Sequence, residues 1–225
     1  MRRLTLALLL AAAPLGIAPV AAEQVDIFGR PLELFLPDGY CLLDAAQPNE
    51  KMLLDITTAN NQGSNHLVAY FVPCNDLAAY RAGAITSMTE YGILFVPLVG
   101  GSFQPTPEGR AATLQQVAAS LPGIDAAVLA EVERQAQSSQ GGVKIDGVQF
   151  LGVLGQDDSA LYAGLLLDVS DGQQTLAAAA VVGMTVLRDV TLTANLYRPY
   201  RSNADIVALT SELAPYMAAL VAATP

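Results

Sequence analysis

Four apolar runs, at residues 148–154, 161–168, 174–187 and 190–197, follow one another with connections of only a few residues. A parallel crossover needs a dozen or more residues, so neighbours joined this tightly must be antiparallel. Gln156-Asp157-Asp158-Ser159 and Asp171-Gly172 carry hairpin-turn chemistry, and Arg188-Asp189 supplies the third turn. The segment is therefore expected to form a four-strand meander. Within it, Thr175-Leu176-Ala177-Ala178-Ala179-Ala180-Val181-Val182 does not alternate. A strand apolar on both sides needs cover on both faces, and its alanines permit close backbone approach. The run is too short to span a bilayer, which takes about 20 residues.

A closing helix follows. Ser202-Asn203-Ala204-Asp205 has capping-box spacing, and Ile206, Leu209, Leu213, Met217 and Leu220 then form one apolar stripe, interrupted by Pro215. Upstream, Thr106-Pro107 predicts an N-cap and first helical position. Leu114, Val117, Ala118 and Leu121 would be that helix's inner face. Asp125 caps a second helix with Val128, Leu129 and Val132 inward, fading into a polar loop over 135–142. Nearer the start, residues 25–36 read as a bent strand or tight hairpin. A short helix begins at Pro48 with Met52, Leu53, Ile56 and Ala59 apolar, and a strand runs over 66–72. Pro73-Cys74-Asn75-Asp76 then opens a short helix ended by Gly83, and a further strand spans 85–99. The fold class expected is α+β: an antiparallel sheet with helices packed on both faces and a C-terminal helix closing it.

The first 22 residues have another character. Arg2 and Arg3 precede an apolar run from Leu4 to Ala13, Pro14, Gly16 and Pro19 break it, and Val20-Ala21-Ala22 places small residues before Glu23. This is the pattern of a cleaved secretory signal peptide, with the cut after Ala22 and one domain over 23–225. The flanking polar residues of a twin-arginine signal are lacking, so general secretion into a bacterial periplasm is expected, with no transmembrane segment in the mature chain. Removing 1–22 leaves nine basic against 21 acidic residues, a net charge of −12. Such acidity repels phosphate backbones and argues against nucleic acid as a partner. Cys41 and Cys74 are the two cysteines, and in an oxidising compartment an isolated pair is expected to form a disulfide.

Catalytic patterns are missing from the sequence. A single histidine, His66, rules out a multi-histidine metal site. No serine sits in Gly-x-Ser-x-Gly, and no glycine loop matches a phosphate cradle. No catalytic, metal or cofactor residue is assigned. Asp157-Asp158 suits a solvated hairpin tip better than a Ca²⁺ site or carboxylate pair. One cluster runs against the overall acidity: Arg188, Arg198 and Arg201, with Tyr197 and Tyr200 between them, lead into a helix N-terminus. Arg198, Arg201, Tyr197 and Tyr200 are the candidate surface for an anion or an acidic partner. The competing expectation is that these arginines pair with nearby carboxylates.

An opening strand entering Leu36-Pro37-Asp38-Gly39-Tyr40, a late antiparallel meander and a closing helix together resemble PsbP-like and DcrB-like exported domains. The resemblance implies an antiparallel sheet between helices and a non-catalytic accessory or binding role. No functional residue is carried across. The function expected is therefore a soluble, non-enzymatic periplasmic accessory or binding protein, whose partner is a protein or an envelope component. The alternative is a periplasmic hydrolase assembled from residues distant in sequence.

Overall fold

The computed structural model describes residues 23–121, 144–170 and 175–224. Its elements, in chain order, begin with β1 (Glu23–Ile27), β2 (Arg30–Leu34), β3 (Tyr40–Leu42), α1 (Pro48–Asn61), β4 (Asn65–Pro73) and α2 (Cys74–Arg81). They continue with β5 (Tyr91–Pro97), α3 (Arg110–Ser120), β6 (Lys144–Gln156), β7 (Leu161–Ser170), β8 (Thr175–Leu187), β9 (Val190–Pro199) and α4 (Asn203–Ala223). β1 and β2 form a separate hairpin, and the other seven strands form one antiparallel sheet in the order β3-β4-β5-β9-β8-β7-β6. The protein is α+β, with the meander and the closing helix where the sequence puts them.

The β8–β9 turn shows how local chemistry fixes this topology. Leu187 pairs with Val190, and Arg188 and Asp189 between them have φ of 48° and 63°. Two central residues at positive φ are what a two-residue type I′ hairpin requires. The capping box at α4 is also present. Asp205 Oδ2 accepts from the Ser202 N–H at 2.9 Å, and Ser202 Oγ accepts from the Ala204 N–H at 3.3 Å.

Helices lie on both faces of the sheet. Phe71 and Val72 are adjacent on β4 and so point to opposite faces. Phe71 joins the main core with Leu94, Val181, Ala194 and Leu196, under Leu209, Leu213, Met217 and Leu220 of α4. Leu32 and Leu34 of the hairpin close the same core. Val72 packs on the other face with Leu43 and with Leu77 of α2. Close approach of α4 depends on Gly183. A Cβ there would come within 3.1 Å of both Leu213 Cδ2 and Met217 Cγ. α4 is long and apolar enough to cross a membrane by length and composition, yet its whole stripe is buried here against the sheet.

Several expectations shift in detail. The alanine run is fully covered only from Ala179 to Val181, while Leu176 and Ala177 are exposed. Residues 25–36 resolve as the β1–β2 hairpin, and the strand expected over 85–99 contracts to β5. α3 starts at Arg110 behind Gly109 rather than at Thr106-Pro107. Thr106 instead donates its N–H to Asp189 O at 2.8 Å and meets Thr191 hydroxyl to hydroxyl at 2.7 Å. In α1, Met52 turns outward and Leu54 takes a partly buried place. The helix expected from Asp125 and the loop after it lie outside the described residues.

Candidate functional site

The Cys41–Cys74 disulfide is formed, with Cα atoms 4.9 Å apart. It ties β3 to the start of α2, where the Cys74 N–H also donates to Gly39 O at 2.8 Å. A disulfide is compatible with an exported protein that folds in an oxidising compartment. It closes the β3–β4 ladder, and that ladder is very short. Among the described residues β3 pairs only with Phe71, Val72 and Pro73, and its last bond is Leu43 N–H to Tyr70 O at 3.0 Å.

A buried carboxylate sends the chain away from β4 at this point. Glu50, 1% exposed at the start of α1, accepts the Asp44 N–H at 2.7 Å. Its other partner is Arg81 of α2, which donates through Nε at 2.7 Å and through a terminal nitrogen at 2.9 Å. The bidentate guanidinium holds the Glu50 carboxyl below the ordinary glutamate range, against the opposing effect of burial. Asp44 Oδ1 meanwhile accepts the Ala46 N–H at 2.8 Å and turns the chain into α1.

Beyond the end of β3, Asn65, His66, Leu67 and Ala69 of β4 have, among the described residues, a strand partner in β5 alone, and Val68 bulges out of that register. Where β3 would have continued there is a pocket of about 430 Å³. The hairpin and the segment after it (Val25, Leu34, Leu36) wall one side, and Leu43 and Leu54 the other. Its floor is β4 itself, from Leu67 to Tyr70. Ala69 belongs to the core under α4, while Tyr70 packs with the cluster around α2. The pocket therefore wraps around the strand edge and opens to both faces of the sheet. Its size and lining fall within the range of binding clefts. Burial raises the phenol pKa of Tyr70 and of Tyr216, which also lines the pocket, so both stay neutral hydrogen-bonding groups.

A second hollow of about 340 Å³ adjoins the first and shares Phe35, Leu36 and Tyr216 with it. This one is acidic, with Asp38, Tyr40 and Glu212 in its lining. Arg198 stands behind Glu212 and donates to both of its oxygens, at 2.8 and 3.0 Å, and to Glu90. One guanidinium thus meets two carboxylates, and the trio keeps a net negative charge.

Arg198 accordingly has its charge engaged by carboxylates, and its side chain is only 15% exposed. Tyr197 points to the opposite face, where it stacks on Tyr91 at 4.6 Å, and Tyr91 stacks in turn on Tyr70 at 5.4 Å. Burial pushes the Tyr197 phenol up to about 12. Tyr200 donates to Asn203 Oδ1 at 2.9 Å, and Arg201 is exposed at the mouth of α4. The four candidate residues do not converge on one surface. Arg188 reaches back to Pro31 O at 3.0 Å.

His66 is exposed on β4, with its ring 4.9 Å from that of Phe28. The shallow hollow before it is lined by Asp55, Thr58 and Asn65, with no serine or cysteine in the wall. Asp157 spends its oxygens inside the β6–β7 turn, accepting from the N–H groups of Ser159 and Ala160 and from the Tyr162 hydroxyl. Among the described residues, no three His, Cys, Asp or Glu side chains are grouped to hold a metal ion.

Sequence reasoning missed the edge pocket and Glu50. The signal for the pocket was the density of leucines between Leu32 and Leu43, of which Leu34, Leu36, Leu42 and Leu43 line it. Neither a protein-family model nor a curated protein matches this chain.

Proposed function

We propose that this chain is an exported, non-enzymatic accessory protein of the bacterial periplasm that holds an apolar part of a protein or envelope component in the pocket beside β4. The carrying observation is that pocket: about 430 Å³, walled by leucines and valines, at a strand edge left open. The disulfide, the signal-like segment at 1–22 and the likeness in element order to PsbP-like and DcrB-like domains support the compartment and the accessory role. The pocket offers no nucleophile or base, only two neutral tyrosine phenols among apolar walls, which suits holding rather than transforming a ligand.

The test is binding of a solvatochromic apolar dye, N-phenylnaphthylamine, to the purified protein. A saturable blue-shifted signal is expected, lost in Leu67→Glu and kept in Val153→Glu, which alters an exposed residue of the far edge strand. A signal that is absent, or equal in both variants, removes the pocket as the binding site.

A further inference from the structure

From the shape of this pocket we infer that its occupant is an extended, basic peptide segment of a partner protein, added to the sheet as a strand beside Asn65–Ala69 of β4. This rests on the proposal that the pocket is the binding site, and it names the class of ligand. Strand addition joins backbone hydrogen bonds along an open edge with pockets for alternate side chains. Both halves of that recognition are built here. β4 continues past the end of β3 for five residues, Asn65 to Ala69, of which four pair with β5 and, among the described residues, with no other strand, while Val68 is an extra residue in that register. The cavity lies along those residues and reaches both faces of the sheet, toward Leu34 and Leu36 on one side and Leu43 and Leu54 on the other. An added strand, whose successive side chains alternate between faces, would fill both halves. A cavity of about 150 Å³ holds a benzene, so 430 Å³ accepts roughly two or three large apolar side chains.

The two edges of the sheet are treated differently. Proteins commonly blunt an exposed edge with charge, proline or bulges. β6, at the far edge, has three irregularities in its register with β7, beside Gly147, Gly152 and Gly155. The open stretch of β4, Asn65-His66-Leu67-Val68-Ala69, has no lysine, glutamate or proline, and carries one irregularity of the same kind, the extra residue Val68 in its register with β5. The Glu50–Arg81 pair, by capturing Asp44, keeps the chain's own β3 from extending to cover it.

Charge selects the sign of the partner. Adjoining the apolar pocket is the hollow containing Asp38 and Glu212, backed by an arginine already shared between two carboxylates. The chain as a whole carries −10. A lysine or arginine flanking the apolar side chains would reach this acidic hollow past Tyr216, which borders both spaces.

The experiment uses fluorescence anisotropy of a labelled octapeptide of four consecutive valines flanked by two lysines at each end, titrated with the full chain expressed with residues 1–22 in place. Two further peptides carry backbone N-methyl groups on one or the other set of alternate residues. One set blocks the edge that bonds to β4 and should weaken binding by at least about tenfold, while the other leaves it nearly unchanged. The counterpart with glutamate in place of each flanking lysine should also bind at least about tenfold more weakly at low salt. Equal binding by both N-methylated peptides overturns strand addition. Dye binding without peptide binding overturns it in favour of a small amphiphile while leaving the pocket as the site. Failure of both dye and peptide overturns the pocket as well. No protein variant is needed, so loss of folding cannot imitate any result.

Discussion

Replacing Leu213 by alanine tests how α4 is held on the sheet. Leu213 is fully buried and lies over Gly183, which has no side chain to fill a space left above it. Three carbons are removed from the core, about 2.4 kcal/mol by transfer at 0.8 kcal/mol per methylene. The cavity that cannot collapse adds to this, giving a total of about 4 kcal/mol within the range measured for such truncations. The companion change, Gly183→Ala, should destabilise the wild-type protein by about 1–2 kcal/mol, because its Cβ would press on Leu213 and Met217. In the Leu213→Ala background the same methyl group enters the space the leucine left. The double variant should therefore be more stable than the sum of the single effects by about 1 kcal/mol or more. Urea unfolding at constant m reads all three values. A Leu213→Ala cost below about 1 kcal/mol, or strict additivity, would refute the packing described.

Other perturbations follow from the same contacts. Replacing both cysteines by serine should cost about 3–4 kcal/mol in the chain-entropy picture for a separation of 33, read as a lower urea midpoint; an unchanged midpoint would count against it. Glu50 is held below its ordinary value of 4.5, so its stabilisation is present above that value and is lost as pH falls through the lowered one. Glu50→Gln should lower the midpoint at neutral pH and flatten the acid limb, and an acid limb as steep as in wild type would show the pair to be inert. Tyr197 is raised from 10.0 to about 12, and Tyr70 and Tyr91 shift the same way, so their burial stabilises the fold below pH 10 and is lost progressively as pH climbs toward 12. Spectrophotometric titration should find these phenols ionising together with unfolding; ionisation near 10 in the folded protein would contradict their burial.

The parts of this structure that could be read from the chain are those written in local pattern. The meander follows from turn residues at short spacing, the capping box from Ser202 and Asp205, and the core stripe of α4 from its period. The disulfide followed from the cysteine count and from the oxidising compartment that residues 1–22 predict. Long-range pairing has no such local mark: nothing between Tyr91 and Pro97 says that β5 will lie beside β9, yet that contact joins the two halves of the sheet. Glu50 reads as an ordinary acidic residue of a first helical turn, and its partners, the Asp44 N–H and the Arg81 side chain of α2, carry no local mark that would pair them with it. Strand alternation gives the reason that Tyr197 and Arg198 part company, since neighbours on β9 must face opposite ways. The pocket draws its walls from the hairpin, the segment after it, α1, β4 and α4, so no single stretch of sequence could announce it.

The most direct measurement places a photoreactive amino acid at position 67, on the open edge of β4, and at position 153, on the bulged edge of β6, in the full chain expressed with residues 1–22 in place in a bacterium, where the proposal has it exported. Irradiation in the periplasm should link position 67 to a partner polypeptide whose attached fragment, read by mass spectrometry, is an extended apolar segment with lysine or arginine beside it, while position 153 gives none. Adducts at 153 but not at 67, or lipid alone at 67, would contradict recognition of a peptide strand at this edge.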